Sequence, residues 1–110
     1  MRMWMVNPEM LCRKHLLGEH LECHMFVGTI LAGKSLKGYV DNGLVEVDSL
    51  VQRHNDLAVE MSKRGYKHFS TLQKFDSFSL GRVDIAKNLE ELKRRCTECH
   101  QLIISKTNMT

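Results

Sequence analysis

The chain has 110 residues, of which 43% are hydrophobic, 26% charged and 6% aromatic. This balance is typical of a globular domain, and a single proline with seven glycines excludes a collagen-like chain and disfavours an all-β sandwich. Sixteen Lys and Arg residues against thirteen Asp and Glu give a formal net charge of +3, which is compatible with a nucleic-acid partner but does not establish one.

The sequence also bears on location. No stretch approaches the roughly 18 apolar residues of a membrane span, and residues 1–6 are too short an apolar run for a signal peptide. We therefore expect a cytoplasmic protein without a membrane partner, in which the four cysteines are reduced thiols.

Three principal helices are predicted, which gives an all-α fold and a single compact domain over residues 1–110. The first helix is predicted to open at Asn7-Pro8-Glu9, because Asn is a preferred N-cap and Pro suits the first helical position. Apolar residues then recur at helical spacing up to Gly33, which is expected to end the helix.

A short helix or turn and then a polar loop are predicted over residues 35–48. The second long helix begins near Asp48 and ends at Gly65, which two basic residues precede. Its apolar stripe comprises Leu50, Val51, His54, Leu57, Ala58 and Met61.

Residues 66–82 are predicted to be irregular. The third long helix begins near Asp84, and residues 105–110 are expected to form a frayed tail. The apolar stripe of this helix comprises Ile85, Leu89, Leu92, Cys96, Cys99 and Ile103.

Three ionisable residues share one face of the first helix. His15, Glu19 and Glu22 are four and then three residues apart, which brings their side chains into line. Two carboxylates and an imidazole in this arrangement permit acid–base chemistry. Residues with such spacing are more often solvated surface charges, so the pattern alone leaves open both a catalytic and a surface role.

Two longer motifs carry a family resemblance. The segment RKHLLGEHLE over residues 13–22, followed by MFVGTI over residues 25–30, resembles the first helix of the phage pyrimidine-dimer DNA glycosylases of the endonuclease V type. The segment EMSKRGY over residues 60–66 is similar to the helix of that family that ends in Lys-Arg-Gly and an aromatic residue. The resemblance covers about residues 1–68, and implies a single endonuclease V-like helical domain in the host cytoplasm if the protein is phage-encoded.

The resemblance implies a DNA glycosylase with abasic-site lyase activity that acts on pyrimidine dimers or related lesions in double-stranded DNA. In that family the N-terminal amine is the nucleophile that forms a Schiff base, and a glutamate of the first helix is its acid–base partner. These roles carry over to Met1 and Glu22, since Arg2 is a large second residue that normally prevents removal of the initiator methionine. An α-amine has a pKa of about 7.7–8.0, so much of it is unprotonated near neutral pH. We expect a monomer.

The resemblance also assigns substrate contacts to residues near the nucleophile. Arg2 would bind a DNA phosphate, and Lys14 would contribute to DNA binding. His15 and Glu19 would orient the site or bind the DNA backbone. Apart from the resemblance, Trp4 is close in sequence to the expected nucleophile and would stack on a base or a dimer, or would instead pack the N-terminus onto the core.

The segment CTECH over residues 96–100 has the spacing of half a zinc site, with Cys96 and Cys99 as ligands. The other half would come from Cys12, Cys23, His20 or His24. Buried free thiols on the apolar stripe are the alternative, so the expected cofactor is none, with zinc kept as a second possibility.

A different class of function fits the same sequence. The chain would then be a non-catalytic helical module that kept the fold and binds nucleic acid or protein, with or without zinc. An abasic-site lyase without dimer specificity is a third hypothesis. Covalent trapping of the protein on damaged DNA separates the enzymes from the binding module.

Overall fold

The computed structural model describes residues 1–67 and 70–108. Short 3-10 turns at Pro8–Met10 and Val47–Ser49 precede two of its longer helices. The α-helices in these residues are α1 (Arg13–Leu31), α2 (Lys37–Asp41), α3 (Leu50–Lys63), α4 (Ile85–Arg95) and α5 (Thr97–Thr107). No strand occurs in residues 1–67 or 70–108, so the predicted all-α class is confirmed.

The chain enters the first long helix later than predicted. Asn7 does act as a cap, since its Oδ1 accepts a hydrogen bond from the Glu9 backbone N–H at 3.0 Å, but it caps only a 3-10 turn. The backbone then becomes extended at Leu11 and Cys12, which places both side chains in the core, and α1 begins at Arg13. The predicted opening of the helix at Asn7 was therefore wrong, because burial of this pair interrupts the helix.

The predicted third helix is two helices, α4 and α5. The backbone of Cys96 is extended, and its Sγ accepts a hydrogen bond from the Cys99 backbone N–H as the N-cap of α5. The predicted stripe is also unevenly buried within α4, where Ile85 at the start of the helix is 50% exposed while Leu92 is fully buried. Helix α5 also continues to Thr107, so the frayed tail predicted over residues 105–110 was wrong for its first part, and residues 109–110 lie outside the described chain.

The segment between α3 and α4 follows the prediction where it is described. Residues 66–67 and 70–84 contain neither helix nor strand, and His68 and Phe69 lie outside the described residues. No helix in the described part of the chain is long and apolar enough to cross a membrane.

One core holds the helices together as a single compact domain. Helix α1 packs on α3, and α5 packs on α4 and on the Pro8–Met10 turn. The N-terminal residues thread through this arrangement with Met3, Trp4 and Val6 buried. The larger buried side chains of the helices are Leu16, Phe26, Leu50, Leu57, Leu92 and Ile103.

Gly81 lies where the backbone leaves no room for a side chain. Its φ is +79°, and a Cβ there would lie 2.3 Å from the carbonyl oxygen of Val45. We expect Gly81→Ala to lower the free energy of unfolding by on the order of 1–3 kcal/mol from backbone strain, with the steric overlap adding to that loss. Urea unfolding measures the change. Gly18→Ala in α1 is the control, because open space surrounds Gly18 and Ala is expected to add up to about 1 kcal/mol there.

Candidate active site

The N-terminal segment, residues 1–6, is fixed by hydrogen bonds to the core. The Met3 backbone N–H donates to the carbonyl of Leu44 at 2.7 Å. The Asn88 side chain of α4 donates from Nδ2 to the carbonyls of Met3 and Trp4, at 3.2 and 2.9 Å. Because the residues behind it are buried and bonded, the position of Met1 is set by the packing of the whole segment.

Glu22 of α1 is half-buried beside the start of the chain. Burial raises the pKa of its carboxyl group, and this effect exceeds the lowering by a hydrogen bond from the Arg2 backbone N–H and by the positive charge of the Met1 terminus. The pKa of Glu22 therefore lies above its ordinary value although the positive terminus and the Arg2 N–H both act to lower it. A carboxyl group with this pKa within electrostatic range of an α-amine is suited to proton transfer at that amine.

Glu19, one turn earlier, points inward to α3. Arg53 donates to both carboxylate oxygens, from Nε at 2.6 Å and from Nη2 at 2.8 Å. The same two residues hold the N-terminal segment, since Met5 N–H donates to Glu19 at 3.4 Å and Arg53 Nη1 donates to the Val6 carbonyl at 2.7 Å. Glu19 is 1% exposed, so this geometry fits its predicted orienting role and gives DNA no access to its carboxylate.

Arg2 and Trp4 pack against each other. The guanidinium carbon of Arg2 lies 3.8 Å from the centre of the Trp4 ring, and Nη2 donates to Asn88 Oδ1 at 2.6 Å. Burial and the nearby charge of Arg95 lower the pKa of Arg2. Trp4 is buried and meets His15 edge-on, with ring centres 5.8 Å apart. These contacts fit the alternative in which Trp4 packs the N-terminal segment onto the core.

A cleft of about 640 Å³ opens beside Arg2. Basic side chains in its lining are Arg2, Arg82, Lys87 and Arg95, and acidic ones are Asp41, Asp84 and Glu91. Lys14, predicted to bind DNA, lies exposed on the first turn of α1. The cleft thus combines cations that attract phosphate with carboxylates that limit the attraction.

The Cys–His cluster, formed by Cys12, His15, Cys96 and Cys99, lies where α1 and α5 begin. His15 Nδ1 is 3.1 Å from Cys12 Sγ and 3.5 Å from Cys99 Sγ, and Cys12 Sγ is 3.8 Å from Cys96 Sγ. All four donor atoms lie within 4.8 Å of one another, so the group could hold a metal ion. Of the residues considered for the second half of this site, only Cys12 belongs to it, while Cys23, His20 and His24 lie elsewhere.

His15 was assigned to DNA binding and was missed as a metal-ligand candidate. The signal was present, because Cys12 and His15 have the same two-residue separation as Cys96 and Cys99. Burial lowers the pKa of His15, and the charges of Lys14 and Arg95 lower it further.

A histidine triad, formed by His20 and His24 of α1 and His54 of α3, is a separate cluster. The ring centres lie 4.7 to 5.0 Å apart, and His20 and His54 are buried. Its members also have donor atoms within 4.8 Å of one another. The one-turn spacing of His20 and His24 was evident in the sequence, whereas the contribution of His54 depends on the packing of α3 against α1.

Residues 1–74 match the model of a family described as pyrimidine dimer DNA glycosylase. The match covers 74 of the 110 residues and includes Met1, Glu22 and the Glu19–Arg53 pair. The chain belongs to this family. The predicted resemblance is thereby confirmed, and membership in a family of DNA repair glycosylases makes DNA the expected partner. Neither the curated proteins nor the solved structures contain a significant match to the chain.

The pyrimidine dimer DNA glycosylase match ends before the C-terminal helices. It contains the Cys12–His15 half of the Cys–His cluster, while Cys96 and Cys99 lie beyond residue 74. Asn88, which bonds the N-terminal segment, also lies beyond the match. The C-terminal helices therefore complete the surroundings of the candidate active site.

Proposed function

We propose that the protein is a DNA glycosylase and abasic-site lyase that acts on pyrimidine dimers or related lesions in double-stranded DNA, as a monomer. The observation that supports this proposal is that the carboxyl group of Glu22 lies within electrostatic range of the Met1 terminus, at the end of a segment that the core holds in place. Family membership of residues 1–74 supports the same class of reaction.

The reaction begins with the neutral amine of Met1. Its nitrogen attacks C1′ of the damaged nucleotide, and the glycosidic bond breaks so that the base leaves with the bonding electrons. The attached nitrogen then loses one proton, its lone pair displaces the ring oxygen from C1′, and that oxygen takes up a proton, so that the nitrogen carries a positive charge. The product is a Schiff base between the enzyme nitrogen and C1′ of the opened sugar.

Strand cleavage follows from the Schiff base. Removal of a C2′ proton sends electrons toward the cationic nitrogen, and the 3′ phosphate leaves by β-elimination. Glu22 stabilises the positive charge and transfers protons between nitrogen, ring oxygen and C2′. Its raised pKa favours this exchange, because a carboxyl group that titrates closer to neutral pH both gives and takes protons more readily.

No step of this reaction needs a cofactor, so a metal in the Cys–His cluster would have a structural role. Access to C1′ requires the duplex to be distorted or the nucleotide flipped, which costs a few kcal/mol and least at a damaged site. The basic side chains beside Arg2 would bind the phosphates of the distorted strand.

Borohydride trapping tests the proposal. The purified protein is incubated with a duplex that holds a single cyclobutane dimer or a single abasic site, and borohydride is then added to reduce the Schiff base. We expect a covalent protein–DNA adduct whose modified peptide begins at Met1, and we expect no adduct after acetylation of the terminus. An undamaged duplex is the control. Adducts on a lysine peptide, or none on either substrate, would contradict the amine mechanism.

A non-catalytic binding module is the second candidate, and an exposed apolar surface favours it. Leu21 and Met25 lie one turn apart on α1, the helix that carries Glu22, and are 59% and 47% exposed. Such a surface suits contact with a partner more than contact with phosphate. Binding of the damaged duplex without an adduct would support this candidate.

A further inference from the structure

We propose that Cys12, His15, Cys96 and Cys99 bind one zinc ion, which fastens α5 to the beginning of α1. The donor set of three thiols and an imidazole is one of the common sets of structural zinc sites. The proposal is independent of the glycosylase reaction, because none of the steps described above uses these four side chains.

Two of the distances within the cluster match the edges of a zinc tetrahedron, and all the donor atoms lie within 4.8 Å of one another. Zn–S bonds of about 2.3 Å and Zn–N bonds of about 2.0–2.1 Å imply S···S separations near 3.8 Å and S···N separations near 3.5 Å. The Cys12–Cys96 separation is 3.8 Å and the His15–Cys99 separation is 3.5 Å, while the Cys12–His15 separation is 3.1 Å. A central ion therefore needs only small movements of these side chains.

The two halves of the cluster occupy matching positions at the beginnings of their helices, although only the Cys96 side chain makes a capping hydrogen bond. Cys12 is the N-cap of α1 with His15 in its first turn, and Cys96 is the N-cap of α5 with Cys99 in its first turn. Two of the three thiols also accept a hydrogen bond from a backbone N–H, Cys99 Sγ from Cys12 at 3.2 Å and Cys96 Sγ from Cys99 at 3.4 Å. Helix N-termini and N–H donors stabilise thiolates, which is the form that zinc requires.

Other arrangements fit the cluster less well. A disulfide has an S–S length of about 2.0 Å, well below the 3.8 Å between Cys12 and Cys96. The histidine triad is a separate set of donors that shares no residue with the cluster. Cys23 is a fully buried core thiol outside the cluster, and its burial raises the pKa of that thiol well above the ordinary value. It therefore provides a matched control for removal of a cysteine.

Metal analysis of the full chain tests the proposal. The protein is purified under reducing conditions, and zinc is measured per chain for the wild type and for Cys96→Ser, Cys23→Ala and His24→Ala. Cys96→Ser is the informative change, because serine is also a good N-cap and keeps the start of α5. We expect one zinc in the wild type, in Cys23→Ala and in His24→Ala. Cys96→Ser should bind more than about 100-fold more weakly in competition with a chelator, since loss of an outer-shell partner alone costs about 10–100-fold.

Substitution of cobalt keeps the test decisive if a variant fails to fold. Co²⁺ bound to the wild-type chain should give the strong visible bands of a tetrahedral site and a thiolate charge-transfer absorption, which an imidazole-only site lacks. A wild-type chain that takes up neither ion overturns the proposal, as does a cobalt spectrum without thiolate absorption. Metal lost in His24→Ala but kept in Cys96→Ser also overturns it, since the ion would then lie in the histidine triad.

Discussion

Glu22→Gln is expected to lower the rate of strand cleavage at an abasic site by about 10²–10⁴-fold, the usual contribution of a positioned acid–base group. Gln keeps the size of the side chain and can still accept the hydrogen bond from the Arg2 N–H. It cannot take up or release a proton, so turnover should fail while the amine remains able to attack. Single-turnover cleavage of a labelled duplex measures the rate, and borohydride trapping should still give an adduct.

The stability of Glu22→Gln distinguishes a catalytic from a structural role. Burial places the pKa of Glu22 in the folded protein above its value in the unfolded chain, so ionisation favours unfolding. This destabilisation begins as pH rises above about 4.3, grows until the pH passes the raised pKa, and persists at neutral pH. Gln lacks it, so the variant should be at least as stable as the wild type at pH 7. A slow variant that is also less stable would contradict the proposed role.

The parts of the fold that the sequence predicted are those with local causes. Gly33 follows α1 with a φ of +69°, and Gly65 follows α3 with a φ of +80°, a conformation that glycine adopts without strain. The break at Cys96 had no such local signal, because the residues on either side of it continue a helical pattern. The Cys96 thiol caps α5 locally, but it also contacts the beginning of α1, which lies 84 residues away in sequence.

Only some residues of the candidate site could be predicted, because the others are defined by contacts between segments that are distant in sequence. Glu22 was predicted because it lies in a sequence motif. Arg53 was not predicted as a site residue, although it lies in phase with the buried Leu50 and Leu57 of α3. Val51, which was assigned to that stripe, is 49% exposed. A charged residue on an apolar face is a usable signal for a buried ion pair, but its partner Glu19 is on another helix. Asn88 gave no signal at all, because its partners are backbone carbonyls.

Arg53→Ala is expected to lower the free energy of unfolding by about 3–5 kcal/mol, because it leaves the Glu19 carboxylate buried without its partner. Denaturant unfolding of the purified variant measures the loss. Lys37→Ala removes one member of the exposed Lys37–Asp41 pair and is the matched control, for which the expected loss is below about 1 kcal/mol. Similar losses in the two variants would show that the buried pair contributes no more to the free energy of unfolding than the exposed pair.

The same pair allows stability and positioning to be separated. In Glu19→Gln/Arg53→Met no buried charge remains, so much of the stability lost in Arg53→Ala should return. The hydrogen bond from Arg53 to the Val6 carbonyl is still absent, and the Met5 N–H faces a neutral side chain. The N-terminal segment is then held less firmly, and the borohydride adduct should form more slowly than in the wild type although the fold is restored. Recovery of stability together with full trapping would mean that the pair supports the core alone, and that Asn88 and the burial of Met3 suffice to hold the amine near Glu22.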